Sequence, residues 1–164
     1  MKKLRVSQIR QGKSILDIAG LTKLEELNLS LKIVKRVGKS FVREQIRDED
    51  LACLANLKFL KRLSGIGGIS DAGLKYLAGL TNMKRLHIGG PHLTDEGLSY
   101  LANMKKLDSL TISDGDFTDK GLRHLEGLKS LRYLNITSAN AFSNAALQHL
   151  RKNLPNLYTF RVMP

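Results

Sequence analysis

One feature governs what this chain can become: it repeats itself. Ile69-Ser-Asp-Ala-Gly-Leu-Lys-Tyr-Leu-Ala-Gly-Leu80 recurs as Leu93-Thr-Asp-Glu-Gly-Leu-Ser-Tyr-Leu-Ala-Asn-Met104 and again as Phe117-Thr-Asp-Lys-Gly-Leu-Arg-His-Leu-Glu-Gly-Leu128, and weaker copies begin at Ile46 and Phe142. Successive starts are 23, 24, 24 and 25 residues apart. Working backwards, Ile15, Ile18, Leu21, Leu24, Leu27 and Leu29 match Leu74, Leu77, Leu80, Met83, Leu86 and Ile88, and Leu4 and Val6 stand 23 residues before Leu27 and Leu29, as a terminal half-repeat would. A period of this size marks units that stack in line, each burying its apolar face against the next.

Every unit carries two hydrophobic periods. Leu74, Leu77 and Leu80 are three apart, which turns one stripe of a short helix inward; Leu86 and Ile88 are two apart, which turns one face of a short strand inward. Helix starts are written locally. Ser70, Thr94, Thr118 and Ser143 stand at the N-cap, where a hydroxyl accepts from orphan backbone N–H groups, and Asp71, Asp95 and Asp119 follow where the helix dipole favours negative charge. Gly73, Gly97 and Gly121 then fall in the first turn, where glycine costs about 1 kcal/mol relative to alanine, so their recurrence predicts a helix packed too closely for a larger side chain. Ala146 and Asp50 replace that glycine in two units, which should pack less regularly.

Leu27 and Leu63 are equivalent yet 36 residues apart, 13 more than the 23-residue spacing of the half-repeat. The excess lies within residues 31–45, where Val, Ile and Phe flank Gly38-Lys39 and five Lys/Arg face one Glu, a pattern that reads as a basic hairpin or ordered loop. We expect one α/β domain over residues 1–164: an N-terminal repeat and half-repeat in 1–30, a basic insertion in 31–45, and regular repeats in 46–164. If the insertion projects, proteases should cut first near Lys35, Arg36 or Lys39.

The units resemble bacterial leucine-rich repeats of the Thr-Asp-x-Gly-Leu-x-x-Leu type and are similar to those of F-box leucine-rich proteins, strongly over 46–164 and weakly over 1–30. The resemblance implies a right-handed solenoid with a parallel sheet on the concave face and short helices on the convex face, usually serving protein binding. Two departures stand out. The Asn or Cys expected five residues after Leu86, Leu110 and Leu134 is Pro91, Gly115 and Ala139, so the usual buried hydrogen-bond ladder is absent or rebuilt. No F-box-like helical segment stands before the repeats, which argues against a ubiquitin-ligase adaptor.

Charge bears on association rather than on fold. Twenty-seven Lys/Arg against 15 Asp/Glu leave a net charge of +12, and residues 1–45 hold eleven cations against four acids. That excess suits an acidic protein, a nucleic acid or an anionic membrane surface. Aromatics are not interleaved with the cations and no nucleic-acid motif occurs, which disfavours nucleic acid. The single Cys53 excludes an internal disulfide and any multi-cysteine zinc site; with no apolar run long enough for a signal segment or a membrane span, we expect a soluble cytoplasmic protein.

Catalytic, metal and cofactor sites find little support, and we expect none. Gly12-Lys13-Ser14 and Gly38-Lys39-Ser40 end like phosphate-binding loops, but Ser7 and Ile33 stand where that motif needs its first glycine. Asp114-Gly-Asp116 with Asp119 would attract a cation, yet a turn before a helix start explains the same residues. His124 and His149 share the helical position of Cys53, Tyr76 and Tyr100, rungs of one partly exposed outer ladder. No Ser, His and Asp are placed together by the repeat as nucleophile, base and orienter.

The remaining surface is the outward face of the strands, with the rows Glu26, Asn28, Ser30; Arg62, Ser64, Ile66; Arg85, His87, Gly89; Ser109, Thr111, Ser113; Tyr133, Asn135, Thr137; and Thr159, Arg161, Met163. Arg and Tyr are typical of interaction hot spots, and small hydroxyl residues let a partner approach. These residues point to a non-catalytic protein-interaction module or scaffold that holds a protein partner, with an acidic one fitting the charge. Arg85, His87 and Tyr133 are the central contacts and Arg62 and Arg161 the flanking ones. The rival is electrostatic binding of nucleic acid or anionic lipid through the basic N-terminal region.

Overall fold

The computed structural model describes residues 3–5, 18–29, 33–37, 40–44 and 46–163. Seven strands form one parallel sheet in chain order: β1 (Lys3–Arg5), β2 (Glu26–Asn28), β5 (Arg62–Ile66), β6 (Arg85–Gly89), β7 (Ser109–Gly115), β8 (Tyr133–Ser138) and β9 (Thr159–Met163). Between strands run a 3-10 helix (Asp48–Leu54) and helices α1 (Asp71–Leu77), α2 (Asp95–Ser99), α3 (Asp119–Leu125) and α4 (Asn144–Asn153), each packed on the one before. Within the unit that joins β2 to β5, β3 (Ile33–Val37) and β4 (Ser40–Glu44) pair antiparallel as a separate two-stranded sheet. Gly38 and Lys39, like the Gly12-Lys13-Ser14 triplet, lie outside the described residues.

Equivalent leucines meet across the regular units, whereas Leu21, matched to the buried Leu80, is exposed. Leu86, Leu110 and Leu134 are register partners, as are Ile88, Ile112 and Ile136, and none exceeds 2% exposure. Beneath them lie Leu74, Leu98 and Leu122 from the helices and Met83, Leu107 and Leu131 from the return loops, all buried. Each such side chain contributes about 1.5–3 kcal/mol on leaving water, and the ladders join them into one continuous core. The half-repeat pairing holds at Leu4, which partners Leu27; Val6 is outside the described residues.

Helix starts are linked from unit to unit by aspartates. The Ser70 amide and hydroxyl donate to the Asp48 carboxylate at 2.9 and 2.5 Å; Thr94 does the same to Asp71 at 2.9 and 2.6 Å, and Thr118 to Asp95 at 2.8 and 2.5 Å. The same hydroxyls accept from the amides of Ala72, Glu96 and Lys120, so each N-cap closes its own helix and docks to the preceding one. This link explains the recurrent glycine. A β-carbon on Gly73, Gly97 or Gly121 would fall on the carboxylate oxygen of Asp48, Asp71 or Asp95 respectively.

The two units without that glycine do depart from the pattern. Asp50 turns back on its own unit, accepting from the Arg47 amide at 2.9 Å and from its guanidinium, and the segment winds as a 3-10 helix. Burial alone would push the Asp50 carboxyl up, but the Arg47 donors outweigh it and hold it below its ordinary value. At Ala146, Ser143 still donates its amide to Asp119 at 2.9 Å, yet α4 buries only Leu150 fully. A cleft of about 600 Å³ opens between α3 and α4, lined by Asp119, Leu122, Arg123, Glu126, Ala146 and His149 among others.

The missing Asn ladder is rebuilt in one place. Ser138, one residue before Ala139 and in register with Gly115, is buried; its hydroxyl accepts from the Phe117 amide at 3.1 Å and lies 3.2 Å from the Phe117 carbonyl, to which it donates.

Candidate partner-binding surface

The outward row runs in register across the sheet: Glu26, Arg62, Arg85, Ser109, Tyr133 and Thr159 are successive partners, and His87, Thr111, Asn135 and Arg161 form a second row. Arg62, Arg85, His87, Tyr133 and Arg161 are all exposed. Leucines below and strands on both sides fix the backbone under Arg85, His87 and Tyr133, so covering them need not order the main chain.

Two of the outward positions read from alternation are instead inside. Pairing slips between Leu63 and Ile66, where Gly65 takes φ 81°; this extra residue turns Ile66 inward to partner Ile88, leaving it 3% exposed. Gly89 is buried because Ser113 lies against it; a β-carbon there would stand 2.9 Å from the Ser113 carbonyl oxygen. A second slip, between Ile112 and Gly115, leaves Asp114 exposed at φ 62°.

Arg62 also differs from its expected role. Its guanidinium sits 2.6 Å from Glu26, its register partner, which Lys3 approaches from the other side at 3.1 Å. Arg85 and Arg161 have no acid in ion-pair contact among the described residues. The basic N-terminal region expected as a rival site falls mostly outside the described side chains; of its cations only Lys3 and Lys23 are shown, both exposed.

Alternation missed the residue just ahead of each strand. Lys61, Lys84, Asp108, Arg132 and Tyr158 form a further row, because each carbonyl from Lys61 onward accepts from the amide of the next member: Lys84 from Lys61 at 2.7 Å, Asp108 from Lys84 at 2.8 Å, Arg132 from Asp108 at 2.8 Å and Tyr158 from Arg132 at 2.8 Å. Tyr158 is 83% exposed, and its ring meets that of Tyr133 edge to face with centroids 6.1 Å apart. The only signal in the chain is positional: these residues stand two before the first strand leucine, or before Phe160 in the last unit.

On the helix side the ladder at Cys53 is not uniformly exposed. Cys53 is buried, its Sγ 3.1 Å from the Asp50 carbonyl, and burial pushes its thiol up. Tyr100 donates to Glu96 at 3.0 Å, which raises the phenol above its ordinary value. His149 Nδ1 lies 2.9 Å from Glu126 across the α3–α4 cleft, and His124 is exposed. Asp116 accepts from Asn140 at 2.5 Å, and among the described residues no group of three or more His, Cys, Asp or Glu is placed to hold a metal ion.

Strand, turn and short helix, stacked in line around inward leucines, define a leucine-rich-repeat solenoid. A family model described as Leucine Rich repeat matches residues 79–102. Solved structures agree over the whole stack: an internalin C2 from Listeria monocytogenes is 27% identical with a TM-score of 0.66 over 93% of this chain. A second internalin of that organism, inlF, is 26% identical with a TM-score of 0.64 over 98% of this chain. The chain spans 57% and 39% of the lengths of those two proteins. No curated protein matches it. This fold usually serves protein interaction rather than catalysis, and no described helix is long and apolar enough to cross a membrane.

Proposed function

We propose that the chain is a non-catalytic protein-binding module that seats its partner on the outward face of the sheet, centred on Arg85, His87 and Tyr133, with Arg161 as a charged flank and Arg62 a weaker one because Glu26 already neutralises it. The observation that carries this reading is the set of exposed Arg, His and Tyr side chains held in register on a backbone fixed from below and from both sides. Tyr158 extends the aromatic patch beside Tyr133. The same proposal assigns the repeats to the Thr-Asp-x-Gly-Leu-x-x-Leu type, treats 1–164 as a single domain with 31–45 inserted, and places it in a reducing cytoplasm, which suits a buried lone cysteine.

A partner isolated from the native host by co-precipitation supplies the test. Arg85→Ala and Tyr133→Ala should each weaken it by about 2 kcal/mol, roughly thirtyfold, while Lys75→Ala and Arg123→Ala on the helix side stay near parent affinity. Parent-like binding by both sheet variants, with loss on a helix-side change, defeats the reading.

A further inference from the structure

The edge where helices return to strands is a cationic strip. Lys58, Lys84, Arg85, Lys105, Lys106 and Lys129 all lie along it and are all exposed. Backbone and side-chain bonds hold them side by side: Asn82 donates to the Lys58 carbonyl at 2.9 Å and accepts from Lys106 at 2.7 Å, and the Arg85 amide donates to the Lys61 carbonyl at 2.9 Å. Four described acids lie on this edge and all are engaged, Glu126 by His149 Nδ1 at 2.9 Å. Glu25 pairs with Lys61 at 2.9 Å, Glu26 with Arg62 at 2.6 Å and Asp108 with Arg132 at 3.6 Å.

The aspartates at the helix starts, on the opposite edge, are engaged in the fold. Asp48, Asp71, Asp95 and Asp119 accept from the N-caps of the following helices, and Asp50 is held by Arg47. The chain thus separates its charge across its width, with helix-start carboxylates tied into the fold on one side and, on the other, ammonium and guanidinium groups that pair with no described acid, although Lys58, Lys106 and Lys129 donate to the Gly79 carbonyl, the Asn82 side chain and the Asn153 carbonyl.

We propose that this strip docks an extended acidic segment of a protein partner, running across the repeats from Lys58 to Lys129. The inference rests on the protein-binding reading above and names the chemistry that it captures. Neighbouring strands are about 4.8 Å apart and an extended chain rises about 3.3 Å per residue, so about five residues span these four units. Phe59, 59% exposed beside Lys58, and the Tyr133–Tyr158 pair offer apolar contact at the two ends. A second copy of the chain is a poorer occupant, because two molecules of net charge +12 repel and the helix-start aspartates that it would offer are already bonded.

Fluorescein-labelled decaglutamate, titrated against the full chain in 100 mM salt, reads the strip directly. Lys84→Glu combined with Lys105→Glu should weaken the peptide at least tenfold. Lys75→Glu combined with Arg123→Glu removes the same net charge from the helix side, and should change affinity less than twofold because the Debye length is about 10 Å. The neutral pair Lys84→Gln and Lys105→Gln serves if the charge reversal misfolds, with threefold weakening or more expected. Equal weakening by the edge and helix-side pairs reduces the effect to net charge and overturns the proposal. So does tighter binding of a twelve-nucleotide oligothymidine through the same lysines, or sedimentation showing a dimer that the edge variant dissolves. Peptide binding lost on His87→Ala with Tyr133→Ala but untouched by the edge pair removes the strip and leaves the sheet-face reading standing; indifference to both pairs removes both.

Discussion

Gly97→Ala should destabilise the protein although alanine is the better helix former. The methyl group would land on Asp71, whose carboxylate accepts from the Thr94 amide at 2.9 Å and its hydroxyl at 2.6 Å. Hydrogen bonds to a charged group contribute about 1.5–3 kcal/mol each, and because both partners are half-buried the lower end applies, giving about 3 kcal/mol lost. Relief of the glycine penalty returns about 1 kcal/mol. The net cost is about 2 kcal/mol, a fall in melting temperature of about 4–8 °C for a domain of this size. Thermal denaturation followed by circular dichroism measures it, and a cycle through Asp71→Ala isolates the cause. With the carboxylate gone, Gly97→Ala should become neutral or stabilising by about 1 kcal/mol. Stabilisation by Gly97→Ala in the parent background would refute the argument, since propensity alone would then rule.

Leu110, fully buried at the middle of its ladder, should cost about 2–5 kcal/mol when truncated to alanine, read as a shift in the urea midpoint. Asp119 is held below its ordinary value by the hydroxyl and amide of Ser143 and by Arg123; a depressed carboxyl stabilises the fold above the unfolded value near 3.9 and loses that contribution as pH falls through the folded one. The melting difference between parent and Asp119→Asn should therefore be present at pH 7 and shrink by pH 3, and a constant difference would dismiss the charge as its source. Limited trypsin digestion should cut first at Lys35, Arg36 or Lys39, leaving an intact fragment from Ile46 onward; first cleavage within the repeats would count against a projecting hairpin.

The ladder residues were legible because burial repeats with the period. Leu86, Leu110 and Leu134 occupy one environment three times over, so spacing alone identifies them. The rigid part of the candidate surface followed from the same alternation, which placed Arg85, His87, Tyr133 and Arg161 outward. Failures came where the backbone leaves the ideal path. Ile66 turned inward because a bulge at Gly65 adds a residue that alternation counts as a change of face. Lys61, Lys84, Asp108, Arg132 and Tyr158 were missed because they stand in the turn ahead of each strand, where neither helical nor strand period applies. Close packing at Gly97 was anticipated, but its reason, a carboxylate from the preceding unit, depends on a contact between residues 26 apart that no local pattern announces.

The aspartate links also carry a direction. Each helix offers a carboxylate forward and receives one at its own cap, so every regular unit presents the same connector at its front and the same receptacle at its back. Such units are interchangeable. Removing residues 93–116, one whole unit from Leu93 to the residue before Phe117, would bring Asp71 to Thr118 and restore the same junction between different neighbours. A chain built this way can lengthen or shorten by whole units while every remaining joint stays chemically unchanged, so that the extent of its outward sheet face is set by duplication and deletion rather than by redesign of its core.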